Sequence, residues 1–309
     1  WPAGKAAIHH FVKFFCQLEQ DAFTLVHSIV SEPFADTALA GGGRKGGRPA
    51  ALFPLGLAGR ATAAERLLAI VAGELRVVFQ PILALGADRV AGFEALLRWR
   101  RRSGKTVPPH LFIPAAEDGG VMPQLGGWVL DKACRAAAAW PEVFVSVNVS
   151  PAQFEDPALC CRISGALARS GLPASRLRLE ITERLPIRHA DWVRPLLWTL
   201  RGHGARVWLD DFGSGHADQD ALGQLPFNGF KLGCETTLTL ENDPRGRSAL
   251  RACLGLARDR GFDLVVEGVE RPGQLAILRE EGCPLAQGHL IAPPLEAEAV
   301  GAWLQAASL

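Results

Sequence analysis

Residues 177–212 read LRLEITERLPIRHADWVRPLLWTLRGHGARVWLDDF. Two short apolar runs, LRLEIT (177–182) and RVWLDDF (206–212), flank a Leu-rich stretch over 189–202 whose charges lie on one face. Runs of this length suit strands, and the longer stretch between them suits an amphipathic helix. Near-continuous apolar strands separated by helices build a parallel sheet covered on both faces.

The same unit recurs from residue 64 onward. The other runs are VVFQPIL (77–83), VAGFEALLRW (90–99), FVSVNVS (144–150), GFKLG (229–233), LVVEGV (264–269) and LAQGHLI (285–291). Helices are expected over 122–140, 156–170, 189–202, 247–260 and 271–281. Eight runs within about 245 residues match a closed (β/α)8 barrel of the α/β class. A doubly wound sheet is the alternative, but no G-x-G-x-x-G marks the first βα turn.

Composition narrows the partners. The chain has 309 residues, of which 48% are hydrophobic and 21% charged, which excludes a wholly disordered chain. Lys plus Arg (33) balances Asp plus Glu (32), so no nucleic acid polymer is expected to bind by charge alone. No apolar run reaches the ~18 residues of a membrane span, so no membrane contact is expected within this chain. No secretory signal opens it. It does not begin with Met and reads as cut, which leaves an upstream segment open. Seven cysteines, an odd number without a C-x-x-C pair, argue against zinc or a disulfide framework. A reducing, cytoplasmic compartment is the expectation.

The chain divides into an N-terminal segment, 1–63, and a barrel domain, 64–309. Residues 6–32 suit one or two helices, and GGGRKGGRP (41–49) is a breaker-rich basic linker.

The strand runs share one oddity. Seven successive runs, from VAGFEALLRW onward, each carry a polar residue late in an apolar segment: Glu94, Asn148, Glu180, Asp210 with Asp211, Lys231, Glu267 and Gln287. Barrel active sites lie at the C-terminal ends of strands, so these residues converge on one mouth. Five carboxylates there, against one lysine, would repel one another. One or two hard divalent cations would relieve this, and the all-oxygen donor set favours Mg²⁺, Mn²⁺ or Ca²⁺ over Zn²⁺. Two metals sharing a carboxylate suit phosphoester hydrolysis. Neighbouring strand residues face opposite ways, so Asp210 and Asp211 share a site only if the strand ends or bends there. Gly213 and Gly215 ease such a bend.

Residues 64–309 resemble an EAL domain, the cyclic-di-GMP phosphodiesterase family of bacterial signalling. The resemblance rests on FQPI (79–82), EALLRW (94–99), FIPAAEDGG (112–120), NVS (148–150), LEITE (179–183), DDFGSG (210–215), Lys231, VEGVE (266–270) and QGH (287–289). It implies a modified TIM barrel and hydrolysis of cyclic-di-GMP to the linear pGpG. It implies that Glu94, Asn148, Glu180 and Asp210 hold one Mg²⁺ or Mn²⁺ and that Asp211 helps hold a second. Glu267 and Lys231 would lie near the attacking water, with Glu94 in the same catalytic group. Gln80, Arg98 and Gln287 would contact the ligand or bind near the metals. Glu183 would anchor the loop 212–220, which couples to a homodimer.

The chain departs from the family pattern at named positions. DFGTGYSS is replaced by DFGSGHAD, so His216, Ala217 and Asp218 replace an aromatic and two serines. Lys-Ile-Asp is replaced by Lys231-Leu232-Gly233, which removes a carboxylate from the lysine's own strand face. There is no Tyr at all. Residues 35–53 resemble the C-terminal end of a GGDEF domain, with a flexible linker as the alternative, and no cyclase activity is implied. Three functions remain open at this stage: an active phosphodiesterase, an inactive cyclic-di-GMP receptor favoured by the altered loop and Gly233, and a scaffold without nucleotide.

Overall fold

The computed structural model describes residues 73–140, 143–182, 193–213, 222 and 225–307. Its strands are β1 (Leu75–Ala84), β2 (Arg89–Arg100), β3 (Thr106–Val107), β4 (Phe144–Val149), β5 (Leu177–Thr182), β6 (Arg206–Phe212), β7 (Gly229–Leu232), β8 (Asp263–Val266), β9 (Leu285–Gln287) and β10 (Leu295–Glu296). The helices are α1 (Pro109–Asp118), α2 (Met122–Ala138), α3 (Pro151–Phe154), α4 (Leu159–Ser170), α5 (Val193–Gly202), α6 (Cys234–Thr239), α7 (Pro244–Arg260), α8 (Pro272–Glu280) and α9 (Ala297–Ala307). The strands pair in the order β1-β2-β4-β5-β6-β7-β8-β9, and β9 returns to β1. The ring is closed, as the eight runs imply. Two short strands, β3 and β10, add to β2 and β1 outside it.

One strand breaks the parallel pattern. β1 lies antiparallel to both β2 and β9, while the remaining ring pairings are parallel. The cause is length: only residues 85–88 join β1 to β2, and a parallel crossover needs a dozen or more. Four residues make a hairpin, in which Asp88 takes a positive φ of 47°. A GGDEF end at 35–53 would make 64–76 the barrel domain's own first helix, but Leu75 and Arg76 already belong to β1. Residues 64–72, the 35–53 stretch, Glu183 and the loop positions Ser214 to Asp218 lie outside the described residues. No helix among the described residues is long and apolar enough to cross a membrane.

Strand alternation sorts the side chains. Val145, Val147 and Val149 of β4 point outward, as do Leu177, Leu179 and Ile181 of β5, Val207 and Leu209 of β6, and Phe230 and Leu232 of β7. There they meet the apolar faces of the helices, including Val129, Ala133, Ile163, Leu197 and Leu250. The intervening residues face the barrel interior. Its floor is filled by Ile82, Phe144, Trp208 and Val265. Phe144 and Trp208 meet edge to face at 5.2 Å, and the Arg178 guanidinium sits 4.6 Å from the Phe144 ring centre. Two residues further along each strand, the interior becomes polar.

The QGH turn after β9 is held against the loop after β8. Val269 N–H donates to Gln287 O (3.0 Å), and Leu290 N–H donates to Val269 O (3.0 Å). Gly288 sits inside this clasp, where a Cβ would collide with the Val269 backbone. Backbone cannot swing aside as a side-chain tip can. Gly288→Ala is therefore expected to lower unfolding free energy by ~1–3 kcal/mol, the usual cost of overpacking. Urea denaturation checks this, and a variant as stable as wild type would contradict it.

Candidate active site

The polar interior layer follows from spacing. Gly92 and Glu94 on β2, Phe144, Ser146 and Asn148 on β4, and Arg178 and Glu180 on β5 are successive interior positions. So are Trp208 and Asp210 on β6, Gly229 and Lys231 on β7, Val265 and Glu267 across the end of β8, and Leu285 and Gln287 on β9. Each strand thus supplies floor first and chemistry second. Parallel registry aligns them: Glu94 is level with Ser146, and Asn148 with Glu180.

Lys231 is the hub. Its side chain is 1% exposed. The ammonium Nζ donates to Glu94 Oε2 (3.0 Å) and Glu180 Oε2 (3.1 Å). It also pairs with Glu267 Oε1 at 2.5 Å and Asp210 Oδ1 at 3.7 Å. Glu94 is further held by Asn148 Nδ2 (2.8 Å, to Oε1) and Gln287 Nε2 (2.7 Å, to Oε2). Gln287 Nε2 also donates to Gln80 Oε1 (3.1 Å), and Gln80 Nε2 donates to Ala292 O (3.4 Å).

Asp210 and Asp211 reach one site through a bulge. The β6–β7 register shifts between Leu209 and Phe212. Asp211 itself takes the left-handed conformation, φ 58°, and Gly213 follows at φ 98°. The bend lies at the aspartate rather than only at the glycines after it; Gly215 is outside the described residues. Asp tolerates left-handed backbone better than most residues. As a result Asp210, Asp211 and Glu267 each bring one carboxylate oxygen within 4.8 Å of the others.

Burial and like charge dominate the protonation pattern. Burial lifts Glu180 well above the carboxylate range, with Glu94 and Asp210 adding to it against Lys231. Burial also raises Asp210, again helped by Glu94 and Asp211. Glu267, whose side chain is 21% exposed at the mouth, is still enclosed enough that burial carries it up to about 7, with Lys231 opposing. Glu94 goes the other way: burial would raise it, but Lys231, Gln287 and Asn148 together outweigh burial and hold it low. Burial would lower Lys231, but four carboxylates hold its proton firmly.

The donor set fits a hard cation. Glu180 Oε1, Asp210 Oδ1 and Gln287 Oε1 are buried acceptor oxygens without a hydrogen-bond donor among the described residues. Buried oxygens without donors are what oxygen-liganded Mg²⁺ or Mn²⁺ sites offer.

Glu94, Asn148, Glu180, Asp210, Asp211, Lys231, Glu267, Gln80 and Gln287 therefore converge. Arg98 stands apart, four residues beyond Glu94 on the same face of β2, with Nη1 donating to Leu97 O (2.9 Å). Its half-buried guanidinium is lowered by burial, although Glu94 opposes this. Sequence reasoning passed over Ser146, fully buried between Phe144 and Asn148 on the interior face. Alternation within FVSVNV was the signal that would have found it. It also passed over Thr237 and Gln274, which sit on helices and carry no such signal.

Comparison with known proteins agrees with this geometry. Residues 63–294 match the EAL domain model. An uncharacterized signaling protein of Caulobacter vibrioides is 38% identical over 240 residues, covering 77% of this chain and 29% of that protein. The cyclic di-GMP phosphodiesterase NbdA of Pseudomonas aeruginosa is 35% identical over 238 residues, covering 75% of this chain and 30% of NbdA. The chain thus spans less than a third of the length of these two relatives. Among solved structures, the PaMucR phosphodiesterase in its c-di-GMP complex superposes with a TM-score of 0.71 at 32% identity, covering 76% of this chain and 97% of that one. On its fold, its convergent carboxylates and these matches, the chain belongs to the EAL domain family.

Proposed function

We propose that this chain hydrolyses cyclic-di-GMP to pGpG with the help of two divalent cations, Mg²⁺ or Mn²⁺, in the bacterial cytoplasm. The observation that carries the reading is the convergence of four carboxylates on Lys231, with donorless oxygens beside it. Glu94, Asn148, Glu180 and Asp210 would hold one cation, and Asp210 with Asp211 the other, within reach of the Glu267 carboxylate. When bound, the cations supply Lewis acidity and a water acidic enough to attack phosphorus near neutral pH. Glu267, titrating near neutrality, accepts the proton of the attacking water. Lys231 holds Glu267 in place and offsets charge that develops on the phosphate. Gln287 and Gln80 form one wall of the site, and Arg98 offers a planar pair of donors to a phosphate. The similarity to NbdA and PaMucR supports the nucleotide assignment. The domain is taken as 64–309, working as a homodimer to which the 212–220 loop, anchored by Glu183, is coupled. Residues 1–63 are taken as a separate segment that contains the tail of a GGDEF domain.

A second reading is a cyclic-di-GMP receptor without turnover. Gly233 favours it. A side chain there would start 3.6 Å from Asp211 Oδ1, so this position borders the outer carboxylates, yet it carries no ligand. Incubation of the purified chain with cyclic-di-GMP and Mn²⁺, resolved by chromatography with an EDTA control, separates the two. Metal-dependent pGpG supports the enzyme; bound but intact nucleotide supports the receptor.

Glu94→Ala is expected to abolish Mn²⁺-dependent pGpG formation while far-UV circular dichroism stays unchanged. Wild-type turnover in this variant would remove Glu94 from the metal centre.

The protonation pattern sets a pH dependence of the opposite sign from ordinary acid unfolding. The Glu267 carboxyl keeps its proton up to about 7 when folded, against 4.5 for a free glutamate. Its contribution to stability is complete below the lower value and is lost as pH rises through the upper one. In EDTA, the melting temperature should therefore fall between about pH 5 and about pH 8. Cations need these carboxylates ionised, so the Mn²⁺-induced rise in melting temperature should be larger at the alkaline end. Differential scanning fluorimetry checks both slopes, and a metal-free protein that gains stability on alkalinisation would contradict the assignment.

A further inference from the structure

Glu267 lies one residue past the end of β8, where ladder hydrogen bonds no longer fix the backbone. Its position in the site nevertheless depends on that backbone, because its carboxylate meets Lys231 Nζ at 2.5 Å. Two hydrogen bonds take over. The Glu267 N–H donates to Leu232 O at 3.1 Å. The Glu267 carbonyl accepts from Thr237 Oγ1 at 2.5 Å.

Thr237 lies on α6 and is fully buried. Its own carbonyl accepts from Gln274 Nε2 at 3.1 Å. Gln274 is likewise fully buried, and its Oε1 accepts from the N–H groups of Glu270 and Arg271, each at 2.9 Å. The 267–271 loop is thus bracketed by two buried side chains, one on α6 and one on α8. α6 sits directly on this loop: Gly268 has φ 72°, and a Cβ there would fall 2.6 Å from that of Cys234.

We propose that Thr237 is a positioning residue for Glu267, fixing the peptide that aims the carboxylate at Lys231 and the two aspartates, with Gln274 fixing Thr237 in turn. The inference rests on the phosphodiesterase reading above. Valine matches threonine in shape but lacks the hydroxyl. It would leave the Glu267 carbonyl without its donor and free the peptide to rotate. A small displacement of a reacting group costs rate more than binding.

The test compares Thr237→Val with Thr237→Ser in the full chain. Readouts are kcat and KM for cyclic-di-GMP, Mn²⁺ affinity by titration calorimetry, and melting temperature. For Thr237→Val we expect kcat to fall ~10-fold or more with KM within about twofold, since a carbonyl set free by one lost hydrogen bond corresponds to that order of rate. The Mn²⁺ Kd should rise as Glu267 leaves its partners. Thr237→Ser, which keeps the hydroxyl, should restore both. Wild-type kcat and Mn²⁺ affinity in Thr237→Val would overturn the proposal. So would a loss that serine does not restore, or one explained by the fraction of protein unfolded. If the wild-type chain binds Mn²⁺ but makes no pGpG, the phosphodiesterase reading fails, and the Mn²⁺ affinities of the two variants still decide the role of Thr237. No Mn²⁺ binding by wild type would overturn both.

Discussion

One buried ammonium organises the barrel mouth. Lys231 has four carboxylates within 4 Å and almost no contact with solvent. Full ionisation of all five groups would leave a net charge of −3 in a low-dielectric interior, which no fold tolerates without compensation. The molecule divides the problem. Glu94, with the lysine and two amide donors, is held low and takes the charge of the pair. Glu180, Asp210 and Glu267 are raised, so each holds its proton to higher pH than a free carboxylate. A divalent cation can replace those protons, so the same repulsion among the carboxylates becomes affinity for metal. Removing the ammonium alone would cost ~3–5 kcal/mol, because buried charges would lose their partner.

That cluster can exist because strand alternation separates two tasks. The outward residues bury against helices and supply the hydrophobic stabilisation. The inward residues are thereby released from packing, except at the floor, where Phe144, Trp208, Ile82 and Val265 close the barrel. Above the floor, registry does the assembly: Glu94 beside Ser146, Asn148 beside Glu180, Thr182 beside Asp210. A one-residue slip of any strand would turn its polar residue outward into the helical layer.

Most of this was legible in the sequence because it depends on a period of two within short runs. The eight strand runs and the five helices anticipated between them all have counterparts in the structure, with ends shifted by a few residues. What was missed depends on other length scales. The antiparallel β1 was implicit in the short spacer before β2, but its run has the same composition as its parallel neighbours. The bend at Asp211 arises from a bulge, which the paired aspartates require but do not locate. Thr237 and Gln274 act through backbone groups of another segment, and no local pattern marks such contacts. The convergence of the site residues could be read; Arg98, on the strand face above Glu94, donates to the Leu97 carbonyl.

The cluster is asymmetric, and the asymmetry has a local cause. Its inner end has two amide donors and a lysine on Glu94, and strand registry to align its residues. Its outer end rests on Asp211, which spends ~1–2 kcal/mol in left-handed backbone to face inward. The neighbouring position across β7 is Gly233, which has no side chain to share that charge or to bind beside it. Glu267 is the remaining outer carboxylate, and Lys231 already engages it at 2.5 Å. An outer cation must therefore compete with the ammonium for Glu267, whereas an inner one meets oxygens that lack donors. The stability of the outer end then depends on how firmly the loop after β8 holds Glu267, and in this chain that hold comes from α6 and α8 rather than from the sheet.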